Sequence, residues 1–133
     1  VLKMANRSFK DGAKAIEAGL VSLYGRIVVG ASGAITSQDC RGFSAALNAS
    51  PGVYDVTLDD SYPALRMLNV NVIDAVAAGE GKIAQVISEA VSTADNGILS
   101  FTVVATDDGL AADVASGGII LIEIILKNSS VTY

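Results

Sequence analysis

Residue types that do chemistry are few in this 133-residue chain, and their spacing suits chemistry poorly. Histidine is absent, which removes the commonest general base, the serine triad and most zinc sites together. Cys40 is the single cysteine. With no histidine to take its proton it is a poor nucleophile, and a half-buried structural thiol is the expectation. It cannot close an internal disulfide, so it does not reveal the redox compartment. Asp59 and Asp60 flank a turn, where neighbours in an extended chain point to opposite faces, so a paired acid and base is not expected. With Asp107, Asp108 and Asp113 these carboxylates could supply oxygens to calcium, but no EF-hand-type loop is present and solvated turn aspartates are expected. Gly30-Ala31-Ser32-Gly33 lacks the Gly-Lys-Ser/Thr ending of a phosphate loop, and no helix pattern follows it, so it reads as a turn. Asn48-Ala49-Ser50 and Asn128-Ser129-Ser130 match the glycosylation triplet, a match common by chance and here without a visible secretion signal. The expectation is a chain with no catalytic, cofactor or metal site, and so not an enzyme.

The elements that could position such residues read as β. Tyr54, Val56 and Leu58 alternate with Asp55 and Thr57, the period-two pattern of a strand with one buried face. Phe43, Ala45 and Leu47 alternate in the same way ahead of it, and Asn48-Ala49-Ser50-Pro51-Gly52 supplies a turn between the two. After a second turn signal, Asp59 to Pro63, Leu68, Val70 and Val72 fall on one face and Met67, Asn69 and Asn71 on the other. Residues 41–73 therefore predict a three-stranded meander. Tyr24 to Val29 is a further short strand. Ala34 to Asp39 is expected to enter the strand containing Phe43, with Cys40-Arg41-Gly42 at a bend or bulge. Ile98 to Ala105 alternates as a strand, Thr106 to Gly118 is a polar loop, and Ile119 to Leu126 is apolar on both faces except for Glu123. Such a strand is expected to be covered on one side by its own sheet and on the other by a neighbouring subunit.

Two segments stay open. Residues 6–23 carry Phe9, Ala13, Ile16 and Leu20 at helical spacing behind a weak Ser8–Asp11 capping box, but Gly12 and Gly19 make that helix marginal, so an extended arm is the alternative. In residues 82–94, Ile83, Val86, Ile87, Ala90 and Val91 fit the amphipathic-helix template. The β-branched content and the Asp95-Asn96-Gly97 hairpin signal suit a strand.

Composition bounds the rest. The length suits one domain with a substantial core, divided here as an N-terminal arm or helix (residues 1–23) and a β-rich domain (residues 24–133). Apolar residues make up 51% of the chain but aromatics only 5%, so aliphatic side chains must fill the core and surplus apolar surface is expected to meet another protein chain. No apolar run is long enough to span a bilayer as a helix. The net charge of −5 and nine scattered Lys and Arg residues disfavour nucleic acid and anionic membrane surfaces as partners. Met4-Ala5-Asn6-Arg7 looks like a natural start, with Val1-Leu2-Lys3 read as leftover from upstream. Arg41, Arg66 and Glu123 lie in or beside apolar strands, where an unpaired charge is costly to bury. Pairing of Glu123 with Arg41 or Arg66, within or between subunits, is expected on pattern alone.

Six segments together resemble a known family. Met4-Ala5-Asn6-Arg7-Ser8-Phe9, Gly30-Ala31-Ser32-Gly33-Ala34-Ile35, Cys40-Arg41-Gly42-Phe43, Gly52-Val53-Tyr54-Asp55-Val56-Thr57-Leu58, Asp113-Val114-Ala115-Ser116-Gly117-Gly118 and Leu126-Lys127-Asn128-Ser129-Ser130 look like the head decoration, or cement, proteins of tailed bacteriophages. The likeness runs along most of the chain and is carried by turns and strands, not by chemistry. Val114 departs from it, since such proteins commonly carry proline in that loop. The resemblance implies a β-rich subunit, a homotrimer, on the capsid exterior of a virion, clamping neighbouring copies of the major capsid protein against the pressure of packaged DNA. It also tips residues 82–94 toward strand. The expected fold is mainly all-β, an antiparallel β-sandwich or jelly-roll-like barrel. The residues expected to meet the capsid or a second subunit are Phe9, Ile16, Leu20, Ile120, Ile122 and Ile124. The alternative is a receptor- or glycan-binding domain of a virion fibre or adhesin, for which the available aromatics are Tyr24, Tyr54, Tyr62, Tyr133 and three phenylalanines, with loss of glycan binding on changing Tyr62 as its sign.

Overall fold

A computed structural model describes residues 19–49, 51–74, 81–92, 97–105 and 108–127. The described chain is an antiparallel β-sandwich of eight strands: β1 (Leu20–Val29), β2 (Ile35–Cys40), β3 (Phe43–Ala49), β4 (Val53–Leu58), β5 (Ala64–Ile73), β6 (Lys82–Ala90), β7 (Ile98–Ala105) and β8 (Ile119–Lys127). One sheet has the order β2-β1-β8-β5 and the other β3-β4-β7-β6, with every neighbouring pair antiparallel. The inward phase of each strand makes the core. Ile27, Val29, Ile120, Ile122, Ile124 and Leu126 from the first sheet face Phe43, Tyr54, Val56, Leu58, Leu99, Phe101 and Val103 from the second. Tyr54 and Phe101, opposite each other in register, stack with ring centroids 5.4 Å apart, a geometry that adds to their burial.

The expected meander holds for two strands and then breaks. Strands β3 and β4 pair as read, but after Leu58 the chain crosses the sandwich, and β5 pairs with β8 in the opposite sheet. Its alternation was legible: Leu68, Val70 and Val72 pack on the core while Met67, Asn69 and Asn71 face out. The Cys40-Arg41-Gly42 bend is likewise a corner between sheets, not a bulge within one ladder. Strand β2 belongs to the first sheet and β3 to the second, and Gly42 takes φ +84° where they meet. Residues 82–90 form strand β6, so the strand reading of the ambiguous segment stands. Strand β1 begins at Leu20, which removes residues 20–23 from the expected helix or arm.

The two flanks of the sandwich are finished differently. At the β2–β3 flank the Gln38 side chain accepts from the Ala45 N–H (2.9 Å) and donates to the Ala45 carbonyl (3.1 Å), so a side-chain amide stands in for a missing strand. At the other flank β5 and β6 are the edge strands, and Met67, Ile73, Ile83, Val86 and Ile87 are exposed along them. An apolar edge strand that pairs on one side with no other described strand is a template for a further chain.

Candidate functional site: the surfaces the sandwich leaves open

Three loops are tied together at one end of the sandwich. The buried Tyr54 hydroxyl donates to the Gly33 carbonyl (2.6 Å), and Asp113 Oδ1 accepts from the Gly52 N–H (2.8 Å). The strand-leading alternation of β4 turns Tyr54 inward, and the short 3-10 turn Ala31–Gly33 brings the carbonyl to it. Burial, with the nearby Asp113 charge, pushes the Tyr54 phenol up to about 12. The phenol is fully buried and held protonated by its surroundings, which makes its role here structural. Tyr54→Phe should lower stability by about 1–3 kcal/mol, since the Gly33 carbonyl loses its buried donor. The sign of the pH dependence follows from linkage. The folded pKa lies above the ordinary value of 10, so this contribution is complete below pH 10 and is lost as pH rises toward 12. Urea midpoints for both proteins across that range should converge, and a constant gap would contradict the argument.

The acidic loops do not meet. Asp59 and Asp60 lie where β4 ends and Asp108 and Asp113 where β7 has ended, at opposite ends of the sandwich; Asp107 is outside the described residues. Asp113 and Asp108 are engaged instead by the Gly52 and Leu110 backbone amides. Among the described residues no group of three or more His, Cys, Asp or Glu side chains could hold a metal ion. Cys40 is half-buried, and burial raises its thiol pKa, with the Arg26 backbone opposing and Asp39 adding. Arg41 is matched to Asp39 (3.5 Å), both largely exposed at the corner, while Glu123 sits in register between Tyr24 and Asn69.

The residues expected at an interface fall in different places. Phe9 and Ile16 lie outside the described residues, and Leu20 is partly buried at the start of β1. Ile120, Ile122 and Ile124 point into the sandwich, with exposures of 0, 2 and 0%. The opposite sheet covers them, so the subunit's own core accounts for their burial and they present nothing to a partner. The outward phase of β8 is Ile119, Leu121, Glu123 and Ile125, all half-buried between the flanking strands. Tyr62 is also not an open aromatic. It packs against the core, and burial followed by Asp60 and Asp59 raises its pKa.

Two surfaces stand out among the described residues. One is the apolar β5–β6 flank. The other is the outer face of the first sheet, where exposed Tyr24 stands between two shallow depressions. Tyr24 is among the tyrosines that the sequence offers to a glycan, but Tyr62 is the one singled out there, although Arg26 two residues on marks the outward phase of β1. Comparison with protein-family models, characterised proteins and solved structures finds no match. Function must therefore be argued from these surfaces and from the residues themselves.

Proposed function

We propose that this chain is a structural virion protein of a tailed phage, a decoration subunit that binds the outside of the capsid and stabilises the head. The observation that carries the reading is the set of exposed apolar side chains Met67, Ile73, Ile83, Val86 and Ile87 on the two edge strands of one flank. Such side chains on strands at a sheet edge suit a partner that adds backbone hydrogen bonds to the edge and covers them. The acidic balance of −5 supports an exterior position away from packaged DNA. The resemblance along the chain supports the same assignment and supplies the partners, the major capsid protein and further copies of the chain in a homotrimer. Repetition on a symmetric lattice lets each contact be weak, because avidity multiplies it.

The test is cosedimentation of the purified chain with mature heads that lack it, followed by heating. Saturable binding, a higher disruption temperature and loss of both in Ile83→Asp/Ile87→Asp would support the reading. Heads that neither take up the chain nor gain heat resistance would overturn it.

A further inference from the structure

The outer face of the β2-β1-β8-β5 sheet carries a second kind of site, which adjoins the apolar flank at β5. Register across the strands places Arg41, Tyr24, Glu123 and Asn69 in one row and Asp39, Arg26, Leu121 and Asn71 in the next. Tyr24 is 59% exposed and divides the face. On one side lies a depression of about 370 Å3 bordered by Asn69, Asn71, Leu121 and Glu123, and on the other one of about 280 Å3 bordered by Arg26, Asp39 and Arg41.

We propose that this face binds a neutral oligosaccharide, with a sugar ring stacked on Tyr24 and a neighbouring unit in the depression beside it. Three properties of the face point to that class. First, an exposed aromatic ring set among polar side chains offers an apolar plate with a polar rim, which suits the C–H face of a pyranose. Second, the surrounding groups mix donors and acceptors: each asparagine amide offers both, Glu123 accepts, and the arginines donate. Sugar hydroxyls are themselves donors and acceptors, and such a mixture satisfies them where a run of one kind would not. Third, the charges cancel. Arg26 and Arg41 are balanced by Asp39 and Glu123, and Arg41 is already matched to Asp39 at 3.5 Å. A phosphate, a sulfated chain or an anionic membrane would need a surplus of positive charge, which is missing here. The face is also open and shallow, so an extended ligand can lie across both sides of Tyr24. This inference does not depend on the capsid reading, because its ring, Tyr24, lies on β1 and most of its border on β1, β2 and β8. Asn69 and Asn71 share the outward phase of β5 with Met67 and Ile73, so the two surfaces adjoin there.

The experiment is a glycan array of neutral and anionic oligosaccharides probed with the full chain, followed by amide-shift titration with the strongest neutral binder. Binding confined to neutral glycans, with shifts at residues 24–26, 69–71 and 121–123, is the expected result. Tyr24→Ala should weaken it about tenfold while leaving the thermal midpoint unchanged, because that ring covers no core. Asn69→Ala should weaken it with the fold intact. A silent array, a preference for anionic glycans, or binding that survives Tyr24→Ala would each overturn the site. Concentration-dependent shifts on the same face without sugar would assign it to a second copy of the chain and overturn it as well.

Discussion

Gly52→Ala is expected to cost roughly 3 kcal/mol or more, a large part of the stability of a domain this size. Gly52 sits at φ +67° in the turn between β3 and β4, a region that side-chain-bearing residues adopt only with strain. A Cβ there would lie 2.4 Å from the Ala112 carbonyl oxygen and 2.9 Å from that of Val103. Both obstacles are backbone atoms, so no rotamer change relieves them. They are also fixed: Val103 N–H donates to the Gly52 carbonyl (2.8 Å), and Ala112 N–H donates to the Val103 carbonyl (2.9 Å). Moving any of the three strands the contact from its hydrogen bonds, and the Asp113 tie to the Gly52 N–H goes with it. Gly109→Ala is the control. Its φ is +72° but nothing lies within 4 Å of the added carbon, so it reports backbone strain alone. Urea titrations of both variants should show Gly52→Ala destabilised well beyond Gly109→Ala. Equal losses would mean that the loop after β7 yields freely, and that the three-loop tie is weak.

How much of this was legible beforehand depended on whether the signal was local. Alternation placed the inward phases of β4, β5 and β7 correctly, because a mixed apolar and polar strand states its own faces. Strand β8 could not, since isoleucine and leucine occupy both of its phases. Only pairing with β1 on one side and β5 on the other decides that the even-numbered residues are core. That pairing joins the first described strand to the last and leaves no local trace. The helical spacing of Ile83, Val86 and Ile87 has a cause in the fold. The ladder with β7 slips between Val86 and Ser88, so a β-bulge at Ile87 shifts the phase by one and imitates a helix repeat. Turn signals likewise mark where the chain reverses but not which sheet it joins, which is why Asp59–Pro63 read as a hairpin and is a crossover. The surface sites were the least legible. Tyr24 gains meaning only from Glu123 and Asn69, far away in sequence and adjacent across the sheet. Gln38 carries no pattern that would single it out.

Lys82→Met should cost about 3–5 kcal/mol by leaving one buried carboxylate without its counter-charge. Lys82 Nζ lies 3.3 Å from Asp74 Oδ2, and the two side chains are 12% and 3% exposed. Asp74 stands just past the end of β5 and Lys82 at the start of β6, so the pair joins the two sheets across the connection between them. Asp74 Oδ1 accepts from the Ala115 N–H (3.3 Å), whereas Oδ2 has no hydrogen-bond partner among the described residues, leaving the ammonium to offset its burial. Methionine keeps most of the aliphatic stem and removes the charge, so the loss reports the carboxylate and not a cavity. The double variant Asp74→Leu/Lys82→Met separates attraction from desolvation. A buried ion pair gains Coulomb energy but gives up the hydration of both ions, and apolar replacement of both is often neutral. The double variant should therefore recover most of the single variant's loss, falling short by about 1 kcal/mol for the Ala115 hydrogen bond. If Lys82→Met alone costs under about 1 kcal/mol, water reaches Asp74 on loss of its partner. The pair would then count as a surface contact, and the join between β5 and β6 would rest on their apolar packing. If instead the double variant is as unstable as the single one, the two charges set the spacing of the strands, and removing them opens the flank on which the capsid contact is proposed.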